Sequence, residues 1–228
     1  MGEAINRYLD AAVLYPELER ARAREAIQSI IEFECRTACI RPCDIGMAVE
    51  LCRDSATDVC VVLGFPHGCG LSRVKKLEAQ SYLDEGVDEI DMVVNYSFIR
   101  SDLWDLVEND IRAVSEVTRE RSILLKVILE TTELTAEQIK RATECAVAAQ
   151  ADYVKTSTGF ASGGASVEAV QAMLEAADGR IEVKASGGIR DFAQAKAYID
   201  LGVSRLGVGY PAVAPICTGA PAADAADY

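Results

Sequence analysis

The sequence contains a single histidine, His67, and a single tryptophan in 228 residues. One imidazole is too few for the histidine-based metal sites and catalytic triads that many enzymes use. Basic residues are also scarce, since 23 lysines and arginines stand against 36 acidic residues and the formal net charge is -13. A chain this acidic is unsuited to the phosphate backbone of nucleic acids or to an anionic lipid surface. We therefore expect neither nucleic acid nor a membrane as a partner.

A long hydrophobic run and an export signal are also missing. No apolar stretch approaches the roughly 20 residues that a membrane span needs, and the segment MGEAINRYLD has no secretory apolar region. The eight cysteines are scattered through apolar segments, which indicates reduced core thiols in a cytoplasmic protein. The spacing of Cys35, Cys39 and Cys43 matches no zinc or iron–sulfur pattern, so we expect no metal.

Eight short runs rich in valine, isoleucine and leucine recur along the chain and are typical of buried β-strands. They read, in order, RYLDAAV, RTACIRP, DVCVVLGF, EIDMVVN, ILLKVILE, DYVKTST, IEVKASG and SRLGVG. Segments with helical periodicity lie between them; in LWDLVENDIRAVSEV one predicted face carries Leu103, Leu106, Val107, Ile111 and Val114. No GxGxxG or Walker loop follows the first strand, which argues against an open doubly wound sheet.

This alternation of strands and helices predicts an α/β fold. Because the strands are almost uniformly apolar, a closed parallel sheet covered by helices suits them better than a sheet with one solvated face. We predict one (β/α)8 TIM barrel over residues 1–228, with a flexible C-terminal tail from about 218.

Four charged residues interrupt the otherwise apolar strands: Asp91, Lys126, Lys155 and Lys184. If their strands are consecutive, from the third to the sixth, the inward-facing positions converge on one cavity. A buried ion pair between Asp91 and one lysine, with the other lysines solvated, is one explanation, but three cations and one anion make a poor structural pair. Crowded lysines are instead expected to lower one another's pKa, which makes an amine nucleophilic. We therefore predict Schiff-base chemistry.

Five motifs along the chain resemble those of the 2-deoxyribose-5-phosphate aldolase family, whose members are class I Schiff-base aldolases on a (β/α)8 barrel. The motifs are EIDMVVN, LKVILET, VKTSTGF, VKASGGIR and the loop LGFPHG, and the resemblance runs from about Tyr8 to Gly209. It implies a carbon–carbon lyase that needs no cofactor. It further implies that Lys155 forms the imine, that Lys184 and Asp91 relay protons, and that Tyr228 helps to move the α-proton of the donor.

Other residues are expected to surround a small aldehyde or sugar substrate. They are Lys126, Cys39, Asp10, Thr158, Gly159, Gly187, Gly188, Gly209 and Tyr210. His67 follows a predicted strand, and we expect it to order its loop. A homodimer is expected only because two-fold dimers are the commonest oligomers.

The chain departs from the family pattern in three places. The first strand of the family usually reads Asp-His-Thr, whereas Asp10 is followed here by two alanines, and Arg41 replaces an asparagine on the second strand. After the last strand, Gly209 and Tyr210 stand where the family has phosphate-binding serines, and Pro211 has no N–H to donate. These changes predict a divergent aldolase that uses an acetaldehyde-type donor and an unphosphorylated or otherwise altered acceptor.

Four other functions remain open from the residues. A Schiff-base dehydratase would also use a barrel lysine but would want a histidine or carboxylate base beside it, and His67 is the only imidazole. Ordinary cleavage of 2-deoxyribose 5-phosphate to glyceraldehyde 3-phosphate and acetaldehyde would require backbone amides, with Arg41 or Arg190, to hold the phosphate. A non-catalytic barrel that binds a sugar or a protein would leave the buried charges unexplained. A phosphosugar isomerase would need a glutamate base, for which Glu130 at the end of the fourth strand is the candidate.

Overall fold

The computed structural model describes residues 4–220, which form a closed barrel of eight parallel strands in chain order. Strand β1 pairs with β2 on one side and with β8 on the other, which closes the sheet. The strands are β1 Leu9–Val13, β2 Thr37–Ile40, β3 Asp58–Leu63, β4 Glu89–Val93, β5 Leu124–Ile128, β6 Tyr153–Lys155, β7 Glu182–Ser186 and β8 Arg205–Gly209. Every predicted run forms a strand, and the predicted (β/α)8 TIM barrel is confirmed.

Helices follow the strands and surround the barrel. They are α1 Arg20–Glu32, α2 Ile45–Cys52, α3 Ser72–Asp84, α4 Tyr96–Arg100, α5 Trp104–Glu120, α6 Ala136–Ala148, α7 Val167–Ala177, α8 Phe192–Leu201 and α9 Val213–Thr218. Side chains cap the N-termini of three of them: Thr135 for α6, Ser166 for α7 and Asp191 for α8. Gly202 follows the last residue of helix α8 and caps it with a left-handed backbone, at φ of 108°, which glycine adopts readily.

The predicted apolar face of α5 is only partly buried. Val107, Ile111 and Val114 are fully buried against the barrel, as predicted. Leu103 and Leu106, by contrast, are 45% and 44% exposed. Leu103 precedes the first helical residue, and Leu106 is rotated by about 100° from Val107 around the helix. The prediction was therefore wrong for these two leucines, which lie off the buried stripe.

The two faces of the strands bury different sets of side chains. Residues such as Val59, Val61 and Leu63 of β3 pack with the surrounding helices in the main core. The alternate residues of β1 to β3 face the barrel interior, where they form a small separate cluster: Ala12, Leu14, Cys39, Cys60 and Val62. This inner cluster adjoins the charged residues of the following strands.

Asp91, Lys126, Lys155 and Lys184 lie on β4, β5, β6 and β7 in turn. Their strands are consecutive as expected, but they are the fourth to the seventh rather than the third to the sixth. The count was wrong because three complete strands, β1 to β3, precede Asp91 in the chain. For the same reason, Glu130 follows the fifth strand, β5, and not the fourth as expected.

Two further expectations concern chain termini and cysteines. The tail predicted from about 218 begins where α9 ends, and its residues after 220 lie outside the described residues. All eight cysteines are free thiols. Within residues 4–220, every helix is too short or too polar to cross a lipid bilayer.

Candidate active site

Asp91 joins the three strand lysines inside the barrel. Its Oδ2 atom lies 2.8 Å from Nζ of Lys155 and 2.8 Å from Nζ of Lys184, and its Oδ1 atom lies 2.8 Å from Nζ of Lys126. None of the four residues is more than 2% exposed. The alternative of one ion pair with two solvated lysines is therefore wrong.

Two more carboxylates and a guanidinium extend this charge cluster. Arg205 donates hydrogen bonds to Asp10 at 2.5 Å and to Glu89 at 2.8 Å. Asp10, predicted as a substrate contact, is fully buried in this network. Sequence reasoning missed Glu89 and Arg205. A signal for Glu89 was present, because it precedes Asp91 by two residues and so faces the same side of the strand.

The extra carboxylates keep two of the lysines charged. Nζ of Lys126 lies 2.5 Å from Glu89, and Nζ of Lys184 lies 2.6 Å from Asp10. Burial by itself would lower the pKa of each lysine, but attraction to the neighbouring carboxylates outweighs it and raises both pKa values above the usual range. Lys126 does lower the pKa of Lys184, as expected, but the carboxylates outweigh this effect, so the expected net lowering is wrong for Lys126 and Lys184.

The charged groups around Lys155 determine the electrostatic environment of its amine. Apart from Lys155, the cluster holds three carboxylates and three cations: Asp10, Glu89, Asp91, Lys126, Lys184 and Arg205. These six charges cancel one another, which avoids a net buried charge beside the Lys155 amine. A primary amine attacks a carbonyl carbon as a nucleophile. The geometry therefore suits a nucleophilic lysine at the end of β6.

We expect the free energy of unfolding to fall at both ends of the pH scale. Burial would raise the pKa values of Asp10 and Asp91, but the adjacent lysines outweigh it and lower both. Their stabilisation is present above the unfolded pKa of about 3.9 and is lost as the pH falls below it. The raised pKa values of Lys126 and Lys184 add stability that is present below about pH 10 and lost above it. Urea unfolding at several pH values between about 2 and 11 measures the free energy of unfolding. A free energy that does not change with pH would contradict the prediction.

Two thiols of the inner cluster border the charged residues. Cys39 and Cys60 are register partners on β2 and β3, and the Cys60 thiol donates to Asp91 Oδ1 at 3.3 Å. Their sulfurs and an Asp91 oxygen lie within 4.8 Å of one another, a spacing that a metal ion could bridge. Three lysine side chains already surround Asp91, however, and the positive charges of Lys126 and Lys184 would repel a cation there. We therefore assign no metal to this group.

A pocket of about 400 Å³ opens where β6 and β7 end. It is lined by Gly159, Ala161, Ser162, Gly163, Gly164, Gly187, Gly188 and Arg190. A Cβ atom on Gly164 would lie 2.3 Å from the carbonyl oxygen of Gly187, whose φ is 93°, so the two loops touch in a way that only glycine permits. The walls therefore present peptide groups, the Ser162 side chain and the Arg190 guanidinium, which suit a polar or anionic ligand.

Two other predicted substrate contacts, Gly209 and Tyr210, lie outside the lining of this glycine pocket. Gly209 ends β8 and is buried, while Tyr210 starts a short 3-10 helix and packs half-buried against the main core. Arg41 lies on the other side of the barrel mouth, where it donates to Asp44 and to the Tyr15 carbonyl oxygen, each at 2.7 Å. Arg41 and Arg190 therefore serve different cavities. Tyr228 lies outside the described residues.

Glu130 holds the loop that follows Lys155. Its backbone is left-handed, with φ of 59°, and its buried carboxylate accepts a hydrogen bond from the Thr158 hydroxyl at 2.5 Å. The Phe160 N–H in turn donates to that hydroxyl at 3.0 Å. Burial raises the pKa of Glu130 despite these hydrogen bonds. Sequence reasoning treated Glu130 only as a possible base and missed this positioning of Thr158.

Comparison with known proteins agrees with this geometry. Residues 8–201 match the family described as DeoC/LacD family aldolase. A deoxyribose-phosphate aldolase from Lactococcus lactis subsp. cremoris is 42% identical over 204 residues, which cover 90% of this chain and 92% of that protein.

Solved aldolase structures also superpose over most of the chain. The structure of the aldolase QR15 has a TM-score of 0.87 and 36% identity, covering 94% of this chain and 95% of its own. The tetrameric deoxyribose phosphate aldolase from Aeropyrum pernix has a TM-score of 0.87 and 25% identity, with 94% and 90% covered. The predicted Schiff-base aldolase, a carbon–carbon lyase, is thereby confirmed. The chain belongs to the DeoC/LacD family of aldolases.

Proposed function

We propose that this enzyme makes and cleaves a 3-hydroxyaldehyde from an acetaldehyde-type donor through an enamine on Lys155. The observation that carries the assignment is the shared Asp91 Oδ2 atom, which lies 2.8 Å from the amine of Lys155 and from that of Lys184. A nucleophile and two proton-transfer groups are thus in direct contact. Lys155 is also the last residue of its strand, at the barrel face where TIM-barrel enzymes bind substrates.

The proposed reaction begins with attack of the Lys155 amine on the donor carbonyl carbon. Lys184, which Asp10 and Asp91 keep as an ammonium, supplies the proton with which the hydroxyl leaves as water. The resulting iminium withdraws electrons, and a water held by Asp91 carries the donor α-proton away, which leaves an enamine. The enamine carbon then attacks the acceptor aldehyde, and hydrolysis releases the product and free Lys155. We further propose that Tyr228 helps to move the α-proton of the donor.

For the acceptor, we propose an aldehyde whose recognition depends little on a phosphate group. Short serine hydroxyls are missing at Gly209 and Tyr210, and Pro211 lacks an N–H.

The second candidate is the ordinary cleavage of 2-deoxyribose 5-phosphate. Arg190 in the glycine pocket favours it, because a guanidinium pairs well with phosphate, and so does the name of the Lactococcus relative.

The Tyr210→Ser variant tests the altered acceptor site. We expect its kcat/KM for glyceraldehyde 3-phosphate, relative to glyceraldehyde, to rise by about tenfold to a hundredfold, since one hydrogen bond to a charged group contributes about 1.5–3 kcal/mol. The ratio of two substrates is insensitive to a loss of folded enzyme. Tyr8→Ser is the matched control, because Tyr8 also packs half-buried against the main core but precedes β1, at the opposite end of the barrel. An unchanged ratio, together with a strong preference for phosphate that Arg190→Gln removes, would establish the ordinary reaction instead.

We also propose a cytoplasmic location and a homodimer, as expected from the sequence. The free thiols are compatible with a reducing compartment. The Aeropyrum pernix relative is described as tetrameric, so light scattering on the purified protein should distinguish two from four subunits.

A further inference from the structure

A second cavity opens across the barrel mouth from the glycine pocket. Its volume is about 260 Å³, and it is lined by Leu14, Pro16, Arg41, Pro42, Val62, Phe65, Pro66, Glu78 and Phe160. Most of these residues belong to β1–β3 and the loops that follow them, whereas the glycine pocket follows β6 and β7. Seven of the nine lining side chains are apolar, so the chemical character of the two cavities differs.

The two polar side chains of this apolar cavity already have partners within the protein. The Arg41 guanidinium donates to Asp44 and to the carbonyl oxygen of Tyr15, each at 2.7 Å. The Glu78 carboxylate accepts a hydrogen bond from the Tyr82 hydroxyl. A polar ligand would have to compete with these bonds, whereas an apolar group would not. The cavity therefore favours an apolar group.

The floor of the cavity leads to the charge cluster. Leu14 and Val62 pack inside the barrel beside Cys60, whose thiol donates to Asp91 Oδ1 at 3.3 Å. The other oxygen of Asp91 lies 2.8 Å from the amine of Lys155. One layer of side chains thus connects the apolar cavity to the residues that form and deprotonate the iminium.

One wall of the cavity is aromatic and is tied to the loop of Lys155. Phe160, five residues after Lys155, meets Phe65 edge to face with ring centroids 5.1 Å apart and an interplanar angle of 84°. Its ring centroid is 6.4 Å from that of Tyr15. Because the Thr158 hydroxyl accepts a bond from the Phe160 N–H, the position of this wall follows the position of the Lys155 loop.

We propose that the apolar cavity binds an alkyl substituent on the α-carbon of the donor, so that the enzyme favours donors longer than acetaldehyde. The inference rests on the proposed function. The α-carbon must lie near Asp91, where it loses its proton, and the apolar cavity adjoins Asp91 through Cys60. The polar end of the acceptor then points to the glycine pocket. Acetaldehyde has no substituent on its α-carbon, so it would place no group in this cavity of about 260 Å³.

The chemistry with a longer donor is otherwise unchanged. The enamine forms the same carbon–carbon bond, the α-proton leaves by the same route, and the substituent becomes a 2-alkyl group of the 3-hydroxyaldehyde. Each methylene that enters an apolar site should raise kcat/KM by about fourfold, the factor that corresponds to about 0.8 kcal/mol.

The test compares acetaldehyde, propanal and butanal as donors to one acceptor, glyceraldehyde, with products resolved by mass spectrometry. We expect kcat/KM to rise along the series in the unmodified enzyme. Val62→Phe, which fills the cavity, should lower the butanal-to-acetaldehyde ratio by about tenfold or more. Val74→Phe is the control, because Val74 is 48% exposed on α3, and it should leave the ratio as it is.

The outcomes separate this inference from the proposed function. Turnover of acetaldehyde with imine trapping on Lys155, but a falling kcat/KM along the donor series, would overturn the inference alone. A rising series that Val62→Phe does not change would also overturn it, because the longer chain would then bind elsewhere. Failure to trap any donor on Lys155 would overturn the proposed function itself. Phe160→Ala, which opens the aromatic wall, should lower the same ratio if Val62→Phe does not fold.

Discussion

Replacing Lys155 with leucine is expected to abolish turnover, with kcat falling by about ten-thousandfold or more, as when other covalent enzymes lose their nucleophile. Leucine fills similar space but has no amine to form the imine. The fold should persist, because Asp91 keeps its contacts with Lys126 and Lys184, each at 2.8 Å. The measurement is the rate of cleavage of 2-deoxyribose and its 5-phosphate, combined with borohydride trapping and peptide mass spectrometry.

A lysine elsewhere in the chain provides a matched control. Lys75 is equally buried, and its Nζ lies 2.6 Å from Asp110 in an ion pair outside the charge cluster. Lys75→Met should lower the free energy of unfolding by about 3–5 kcal/mol while folded molecules retain their kcat. Trapped adduct on Lys126 or Lys184 in the unmodified enzyme, or near-normal turnover by Lys155→Leu, would refute the assignment of the nucleophile.

The Asp91→Asn variant should lose both activity and stability. Asparagine has nearly the same shape but no charge, so three lysines would lose a common carboxylate partner. Breaking a buried ion pair costs about 3–5 kcal/mol, and loss of one proton-transfer group costs about a hundredfold to ten-thousandfold in rate. Urea unfolding and single-turnover kinetics measure the two effects separately.

Asp110→Asn distinguishes a catalytic from a purely structural carboxylate. Asp110 is fully buried and accepts hydrogen bonds from Lys75 at 2.6 Å and from Ser72 at 2.7 Å. We expect Asp110→Asn to match Asp91→Asn in lost stability but to keep the rate per folded molecule. If both variants lost the same fraction of kcat, the role of Asp91 in proton transfer would be refuted. The acid side of the stability profile should also be shallower in Asp91→Asn, because its lowered pKa no longer contributes.

Local sequence was sufficient for the architecture. Each strand is a short apolar run bounded by a loop or a helix, and a parallel barrel buries both faces of such runs. The same reasoning singled out Asp91 and the strand lysines, because a charge on a buried strand is costly without a partner or a task. The motifs around Lys155 and Lys184 then led to the aldolase family.

Helix faces were less predictable. Leu103 and Leu106 fit a helical spacing, yet they are exposed at the start of α5 while Val107 is buried. Whether an apolar residue at the edge of a stripe is covered depends on where the neighbouring elements lie, which periodicity alone does not specify.

The sequence by itself determined the barrel, the four charged strand residues and the family. Only the tertiary structure decided which charges meet: Arg205 bonds Asp10 across 195 positions of the chain, and Glu89 joins them. These contacts reversed the expected pKa shifts of Lys126 and Lys184, because the charge state of a buried lysine depends on carboxylates within a few ångströms and not on neighbours in sequence. The tertiary structure also separates Arg41 from the glycine pocket, since closing the barrel sets β2 opposite β6.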